Sequence, residues 1–388
     1  MGTPRTDRSP GARTTVVGAA GVVAADGLLA RAEVVVEGGV ITDVRPARGA
    51  VPDVVLAPGF VDLQVNGIGP VDVATASGPD WAALDAALLA QGVTTWCPTL
   101  TSAPRAALED SLARVAAARR RPAARRPDIA GAHLEGPFLA LPGAHRPDCV
   151  QRDVDLPWLE HLGGLVRVLT LAPELPGAAA AIARLSARGV LVALGHSACD
   201  AEVALEAAAA GARLVTHLGN AMGPSTPRAP GLVGAALADE RLTVSLIADL
   251  VHSHPVFVRA AFAAKGAGGV ALVTDAVAAT AGTGQPPRLP DGRLAGSVLT
   301  VPRAVSNVVH HGAATLADAV ASASTTPARL LGLGDRGVIA PGRRADLVAL
   351  APGPPGRAGG GGHGGGGDVG PWTVSSVWVA GVRAWPPR

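Results

Sequence analysis

Eight short runs of apolar and small residues recur between Gly59 and Thr274. They are Gly59–Val65, Val93–Cys97, Ile129–Leu134, Val166–Leu171, Val190–Leu194, Arg213–Thr216, Leu242–Ile247 and Gly269–Thr274. Between them lie segments with apolar residues at helical spacing, such as Trp81–Gln91, Arg105–Arg119, Ala178–Arg188, Ala201–Ala210 and Val256–Ala264. Eight alternating strand and helix units predict an α/β fold, a (β/α)8 TIM barrel over residues 58–339. An open doubly wound sheet would need a glycine-rich phosphate fingerprint after an early strand, and none follows Val61.

The two ends of the chain have a different pattern. Ala32–Val44 reads as a hairpin with a turn at Gly38-Gly39, Asp335–Leu350 as a second hairpin-like pair, and Trp372–Trp385 as a last pair of strands. Together they predict a small β-sandwich domain built from residues 1–57 and 340–388. A glycine-rich insert at 353–370 interrupts it; His363 inside that run reads as linker, because ordering such a segment costs entropy with no partner to offset it. Arg5, Arg8 and Arg13 precede an apolar run, Val16–Ala25, that could imitate a signal peptide. Gly18 and Gly21 break the run and Asp26-Gly27 ends it, so it reads as a strand behind a loose tail.

Composition narrows the chemistry. Of 388 residues, 48% are hydrophobic and 16% charged, which supports a large core of small aliphatic side chains. A net charge of +2, with no basic run interleaved with aromatics, argues against a nucleic-acid partner. No stretch reaches the roughly 20 uninterrupted apolar residues of a membrane helix, and no membrane partner is expected. Cys97, Cys149 and Cys199 form no close pair and fit reduced thiols in a cytoplasm. Tyrosine is absent and Lys265 is the only lysine, so a tyrosine nucleophile is excluded and any lysine mechanism must use that one residue.

In a barrel of this kind, chemistry gathers at the C-terminal ends of the strands. The first predicted strand runs into Asp62-Leu-Gln64-Val-Asn66, the third into His133-Leu-Glu135, the fifth and sixth into His196 and His217, and the eighth into Asp275. Taken singly, each has a plainer reading: a strand-capping histidine, a salt-bridged rim glutamate, a helix N-cap aspartate. Taken together, Glu135, His196 and His217 are a three-ligand oxygen and nitrogen set, the number a catalytic metal site uses while keeping one position open for water.

The motifs Pro58-Gly-Phe-Val-Asp62-Leu-Gln64-Val-Asn66-Gly67, His133-Leu-Glu135-Gly-Pro137-Phe, Gly143-Ala-His145, Gly195-His196-Ser197, Thr216-His217-Leu-Gly-Asn220-Ala221-Met222, Pro230-Gly231, Ile247-Ala-Asp249 and Leu272-Val-Thr274-Asp275-Ala276 resemble those of the N-acetylglucosamine-6-phosphate deacetylases of the amidohydrolase superfamily. The likeness runs from about Val34 to Leu350. It implies one divalent metal ion per chain, zinc or iron, held by Glu135, His196 and His217, because Gln64 and Asn66 replace the usual strand-one histidine pair and amides are poor ligands beside imidazole. It further implies Asp275 as the proton-shuttling base and His145 as a group that orients and polarises the carbonyl. Asn220 and Ala221 would bind substrate, and Arg228 and His252 would contact the phosphate of a phosphorylated amino sugar, with the His252 match supplied by the neighbouring subunit of a homodimer.

Three positions depart from the family pattern: Gly219 where an aromatic is frequent, Leu250 where glycine is usual, and Val298 in place of serine. They surround the sugar and leave the metal set untouched, so reaction type is more firmly implied than the sugar. Two other readings were weighed: an amidohydrolase of an unphosphorylated N-acetylated sugar or other small amide, and a non-catalytic barrel subunit. The second sits poorly with intact Glu135, His196, His217 and Asp275.

Overall fold

The structure, a computed structural model, describes residues 14–25, 27–122, 125–279, 286–353 and 370–387. The eight predicted runs all form barrel strands, at Phe60–Val65, Val93–Leu100, Ala132–Glu135, Val166–Leu171, Leu191–Leu194, Leu214–Val215, Thr243–Leu246 and Val270–Leu272, hereafter barrel strands one to eight. Neighbours pair in parallel and in chain order. Closure occurs past the formal end of strand eight, where Val65 bridges Ala276 and the Asp275 backbone N–H donates to the Gln64 carbonyl at 2.9 Å.

Parallel strands need crossovers, and these are helices that bury one stripe. In Arg105–Arg119 the buried positions are Leu108, Ser111, Leu112, Val115 and Ala118, spaced to form a single face. The helices Asp80–Ala90, Ala178–Ala187, Ala201–Ala210 and Pro255–Lys265 stand where the apolar spacing predicts them. No helix among the described residues is long and apolar enough to cross a membrane. Barrel and helices share one continuous core that includes Phe60, Trp96, Leu134, Leu169, Val192 and Leu246.

Both chain ends meet in a separate seven-stranded sheet in the order Val382–Trp385, Gly370–Val379, Leu347–Gly353, Val55–Pro58, Thr14–Ala24, Gly27–Glu37, Val40–Pro46. All its pairings are antiparallel except that of Thr14–Ala24 with Val55–Pro58. Gly38 and Gly39 make the expected two-residue turn, both with positive φ, the conformation glycine adopts without penalty. Side chains of Leu347–Gly353 alternate between two cores: Leu347 and Ala349 pack within the sheet's own cluster, whereas Val348 and Leu350 join the barrel core. A strand buried on both faces explains the unbroken apolar run Leu347-Val-Ala-Leu350.

The expected hairpin over Asp335–Leu350 does not form; only Leu347–Gly353 is a strand there. The preceding residues spend their backbone bonds elsewhere. Ala345 N–H reaches the Gly39 carbonyl and Gly342 N–H that of Ile41, which pins the segment to the N-terminal hairpin, while Arg344 N–H closes on the Asp335 carbonyl without a strand ladder. The tail before Thr14 and His363 of the glycine-rich run lie outside the described residues.

Gly59 joins the small sheet to barrel strand one, and a Cβ there would stand 2.2 Å from Thr94 Oγ1 and 2.5 Å from Thr94 Cγ2 on barrel strand two. Overpacking of this kind costs about 1–3 kcal/mol. Gly59→Ala is therefore expected to lower the thermal midpoint by several degrees. Gly49→Ala, with no atom within 4 Å of its added methyl, should leave it unchanged. Equal midpoints for both variants would show that the junction can relax freely.

Candidate active site

Glu135 is the last residue of barrel strand three, His196 and His217 each stand two residues beyond strands five and six, and Asp275 follows strand eight. The ladders continue just far enough to place them: Gly195 N–H donates to the Leu171 carbonyl, Thr216 N–H to that of Leu194, and His217 N–H to Ser245 Oγ at 2.7 Å. The chain then turns sharply inward. His196, His217 and Asp275 have φ of 52°, 32° and 48°, the left-handed region that non-glycine residues seldom occupy. Such conformations concentrate at functional sites, where the surrounding structure holds them.

The three candidate ligand atoms converge. Glu135 Oε1 lies 2.9 Å from His217 Nε2 and 3.3 Å from His196 Nε2, and all three side chains are buried. His196 Nδ1 lies 2.9 Å from the Leu141 carbonyl, which can only accept, so Nδ1 carries the proton and a neutral ring presents its Nε2 lone pair to the carboxylate. Burial lowers the His196 pKa, outweighing the attraction of Glu135. Against the same cost of burial, Glu135 and Asp275 raise that of His217. Burial would also raise the Glu135 carboxyl, but the rings of His145, His196 and His217 beside it hold it well below the usual range. An anionic carboxylate facing an imidazole lone pair is a mutual-acceptor contact that a cation resolves, so the residues fit a metal ion. His217 Nδ1 is buried without a partner among the described residues.

His145 has the opposite tautomer. Its Nδ1 accepts the Ser102 backbone N–H at 3.1 Å, with Ser102 Oγ at 2.8 Å, which leaves the proton on Nε2, 3.6 Å from Glu135 Oε2. A ring fixed this way offers an N–H donor to a carbonyl oxygen in the cavity.

Asp275 is tied to the same group. Gln64 Nε2 donates to Glu135 Oε1 and to Asp275 Oδ1, at 3.0 Å each, and Asn66 Nδ2 donates to Asp275 Oδ1 at 2.8 Å. Below them Asp62 accepts from Thr274 Oγ1 at 2.7 Å and from the backbone N–H of Gln64 and Thr274, which joins strand one to strand eight. Burial lifts Asp62 to about 6 against these bonds. Burial and the charge of Glu135 together push Asp275 up to about 7.

A cavity of about 490 Å³, within the range of small-molecule sites, opens over these groups. Its lining includes Glu135, His145, His196, His217, Asn220, Ala221, His252 and Asp275. His252 is here by virtue of its own chain, where the resemblance implied a neighbouring subunit: Asp249 Oδ2 holds its Nδ1 at 2.7 Å and turns the ring inward. Arg228 is exposed on its loop and does not line this chain's cavity. Lys265 is also elsewhere, its Nζ donating to the Asp239 carbonyl.

Three participants carried no readable sequence signal: Ser102, which sets the His145 tautomer, the Leu141 carbonyl, which sets that of His196, and Arg293, whose guanidinium bonds the Gly143 carbonyl and Asp291 at the cavity wall. Of the three departures, Leu250 has φ of 68°, which explains the usual glycine there. A side chain at Gly219 would start 3.2 Å from Phe257 of the helix Pro255–Lys265, so an aromatic ring already stands against that position.

Asp275 near 7 and a raised His217 hold protons that a bound cation would expel. Titrating metal-free protein with a divalent ion at pH 6–7 should release protons, measurable by calorimetry in buffers of different ionisation enthalpy. Apparent affinity should fall as pH drops below about 7, and Asp275→Asn should release fewer protons. Proton-neutral binding across this range would refute the assignment.

Residues 55–377 match the model of the amidohydrolase family. The N-acetylglucosamine-6-phosphate deacetylase of Danio rerio is 35% identical over 336 residues, 76% of this chain and 80% of that protein. The N-acetylgalactosamine-6-phosphate deacetylase of Escherichia coli O157:H7 is also 35% identical, over 81% of this chain and 89% of its own length. Among solved structures, a mutant N-acetyl-D-glucosamine-6-phosphate deacetylase from Mycobacterium smegmatis, in complex with N-acetyl-D-glucosamine-6-phosphate, superposes with a TM-score of 0.83 at 30% identity, covering 96% of this chain and 99% of that one. The chain belongs to the amidohydrolase family and, within it, to the N-acetylglucosamine-6-phosphate deacetylases.

Proposed function

We propose that this chain hydrolyses the acetamide of N-acetylglucosamine 6-phosphate to glucosamine 6-phosphate and acetate, as an amino-sugar catabolic or cell-wall recycling enzyme. The observation that carries the reading is the joining of a metal-ligand triad, Glu135, His196 and His217, to a base, Asp275, through the one carboxamide of Gln64. The donor set of one carboxylate oxygen and two imidazole nitrogens suits a single zinc or iron ion. Such an ion activates water and polarises a carbonyl when bound.

The chain's own residues do the remainder. Asp275 takes the proton of the attacking water and passes it to the departing nitrogen, which must leave protonated. Its raised pKa, with Oδ1 occupied by two amide donors, suits a carboxylate that both accepts and returns a proton through Oδ2. His145 donates from Nε2 to the acetyl oxygen. Asn220 and Ala221 contact the sugar, and His252 reads the phosphate within the chain. Arg228 reaches a phosphate only across a subunit boundary, since its loop lies outside its own cavity, and we assign it that role in a homodimer. The three cysteines, all free and buried, accord with a cytoplasmic enzyme.

The likeness to the Escherichia coli relative favours one competing substrate, N-acetylgalactosamine 6-phosphate. Acetate release should be measured on both phosphorylated epimers and on unphosphorylated N-acetylglucosamine. Preference for the galacto epimer would move the assignment to that sugar, and preference for the unphosphorylated one would remove the phosphate from it. Arg228→Ala should weaken kcat/KM on the preferred phosphorylated sugar by about 10 to 150-fold and scarcely change the slower unphosphorylated reaction. Equal losses on both would make Arg228 structural.

Asp275→Asn should keep its metal and its fold yet lose roughly 10² to 10⁴-fold in turnover, because an amide cannot shuttle the proton. His196→Ala should lose the metal instead. Elemental analysis of the wild type should return about one divalent ion per chain; a fully active protein with two would refute the mononuclear site, and near-normal turnover by Asp275→Asn would assign the base elsewhere.

A further inference from the structure

Asn66 uses only half of its hydrogen-bonding capacity. Its Nδ2 donates to Asp275 Oδ1, and since only the NH₂ end can face a carboxylate, Oδ1 of the amide must point away. That Oδ1 is buried and has no partner among the described residues, although Asn66 lines the cavity alongside Asp275. Buried acceptors are seldom left unmatched, because losing water without gaining a donor is unfavourable.

We infer that Asn66 is a substrate-contacting residue whose Oδ1 accepts the N–H of the scissile acetamide. The inference rests on the proposed amide hydrolysis and names the group that steers the leaving nitrogen. In that reaction the water oxygen bonds to the acyl carbon, one water proton passes to Asp275, the C–N bond breaks, and the nitrogen takes up that proton to leave as the amine, while the other water proton stays on the new carboxyl group until acetic acid ionises to acetate. The nitrogen's own hydrogen remains on it throughout. An acceptor on that hydrogen turns the nitrogen lone pair towards the Asp275 carboxylate only one hydrogen bond away. The contact strengthens as the nitrogen gains positive charge, so it favours the transition state over bound substrate and acts on kcat.

The test compares the acetamide with the ester analogue of the same phosphorylated sugar, in which oxygen replaces the amide nitrogen and no N–H exists. Asn66→Ala removes both the acceptor and the donor to Asp275. Rates on both substrates should fall, with the amide losing about tenfold more than the ester in kcat/KM. Asn66→Asp keeps an acceptor in place and removes only the donor, so both rates should fall while the amide-to-ester ratio stays near that of the wild type. Asn66→Leu, close in volume and lacking both polar atoms, gives the same reading as alanine if the alanine protein does not fold, and metal content confirms an intact site. An unchanged ratio in the alanine or leucine protein would overturn the inference and leave Asn66 as a positioning residue for Asp275. A ratio that falls equally in the aspartate protein would overturn it too. A wild type that releases no acetate from the amide would overturn both this inference and the function it rests on, whereas wild-type turnover with unchanged variant ratios refutes the contact alone.

Discussion

The Glu135 carboxylate is buried at the centre of a closed barrel, and the site is organised around keeping it charged there. Removing an ion from water costs several kcal/mol unless partners replace the lost hydration. Four groups surround it: the rings of His145, His196 and His217 and the amide of Gln64. Three of them are in turn held by something that dictates their orientation, Ser102 for His145, Leu141 for His196 and Asp275 for Gln64. The negative charge also reaches Asp275, where like-charge repulsion adds to burial and keeps a proton within reach of neutral pH. One carboxylate thereby sets the cation affinity of the site and the basicity of the neighbouring acid.

Holding these groups together requires backbone that would not form on its own. His196, His217 and Asp275 all sit in the left-handed region, at about 1–3 kcal/mol each. The barrel offsets this by distributing the load: strands five and six are fixed by their neighbours' carbonyls, and the segment after strand eight is stitched to strand one through Asp62, Thr274 and Gln64. Barrel closure and site assembly are therefore the same event at this edge, since the bonds that complete the cylinder carry Asp275 to Gln64 and Asn66.

Much of this was legible in the residues. The alternation of apolar runs and helical spacing identified all eight strands, because strands buried on both faces stay predominantly apolar even where a polar residue such as Asp62 or Arg167 interrupts them. Glu135, His196, His217 and Asp275 were legible because strand ends in such a barrel share one rim. What escaped detection was of two kinds. Ser102, Leu141 and Arg293 act from loops, through a hydroxyl, a main-chain carbonyl and one arginine among many, none of which has periodicity. The hairpin expected over Asp335–Leu350 failed because its backbone found better partners at Gly39 and Ile41, a choice made by residues far away in sequence. That His252 lines its own chain's cavity was not legible either, because the hold of Asp249 on its ring is a matter of three-dimensional aim and not of spacing.

The strand Val55–Pro58 is flanked on one side by Thr14–Ala24 and on the other by Leu347–Gly353, so its second neighbour leaves the ribosome only after the whole barrel. At roughly 5–20 residues per second, about 15 to 60 s separate the emergence of the two strands. During that interval every barrel strand becomes available, while the N-terminal strands wait with a bare edge of main-chain amides and carbonyls, the kind of surface that recruits stray strands. Joining segments so distant in sequence also makes the step slow once it becomes possible. A transcript cut short before Leu347 would thus release a chain whose barrel strands are all present and whose edge has nothing to cover it, a natural substrate for chaperones and proteases.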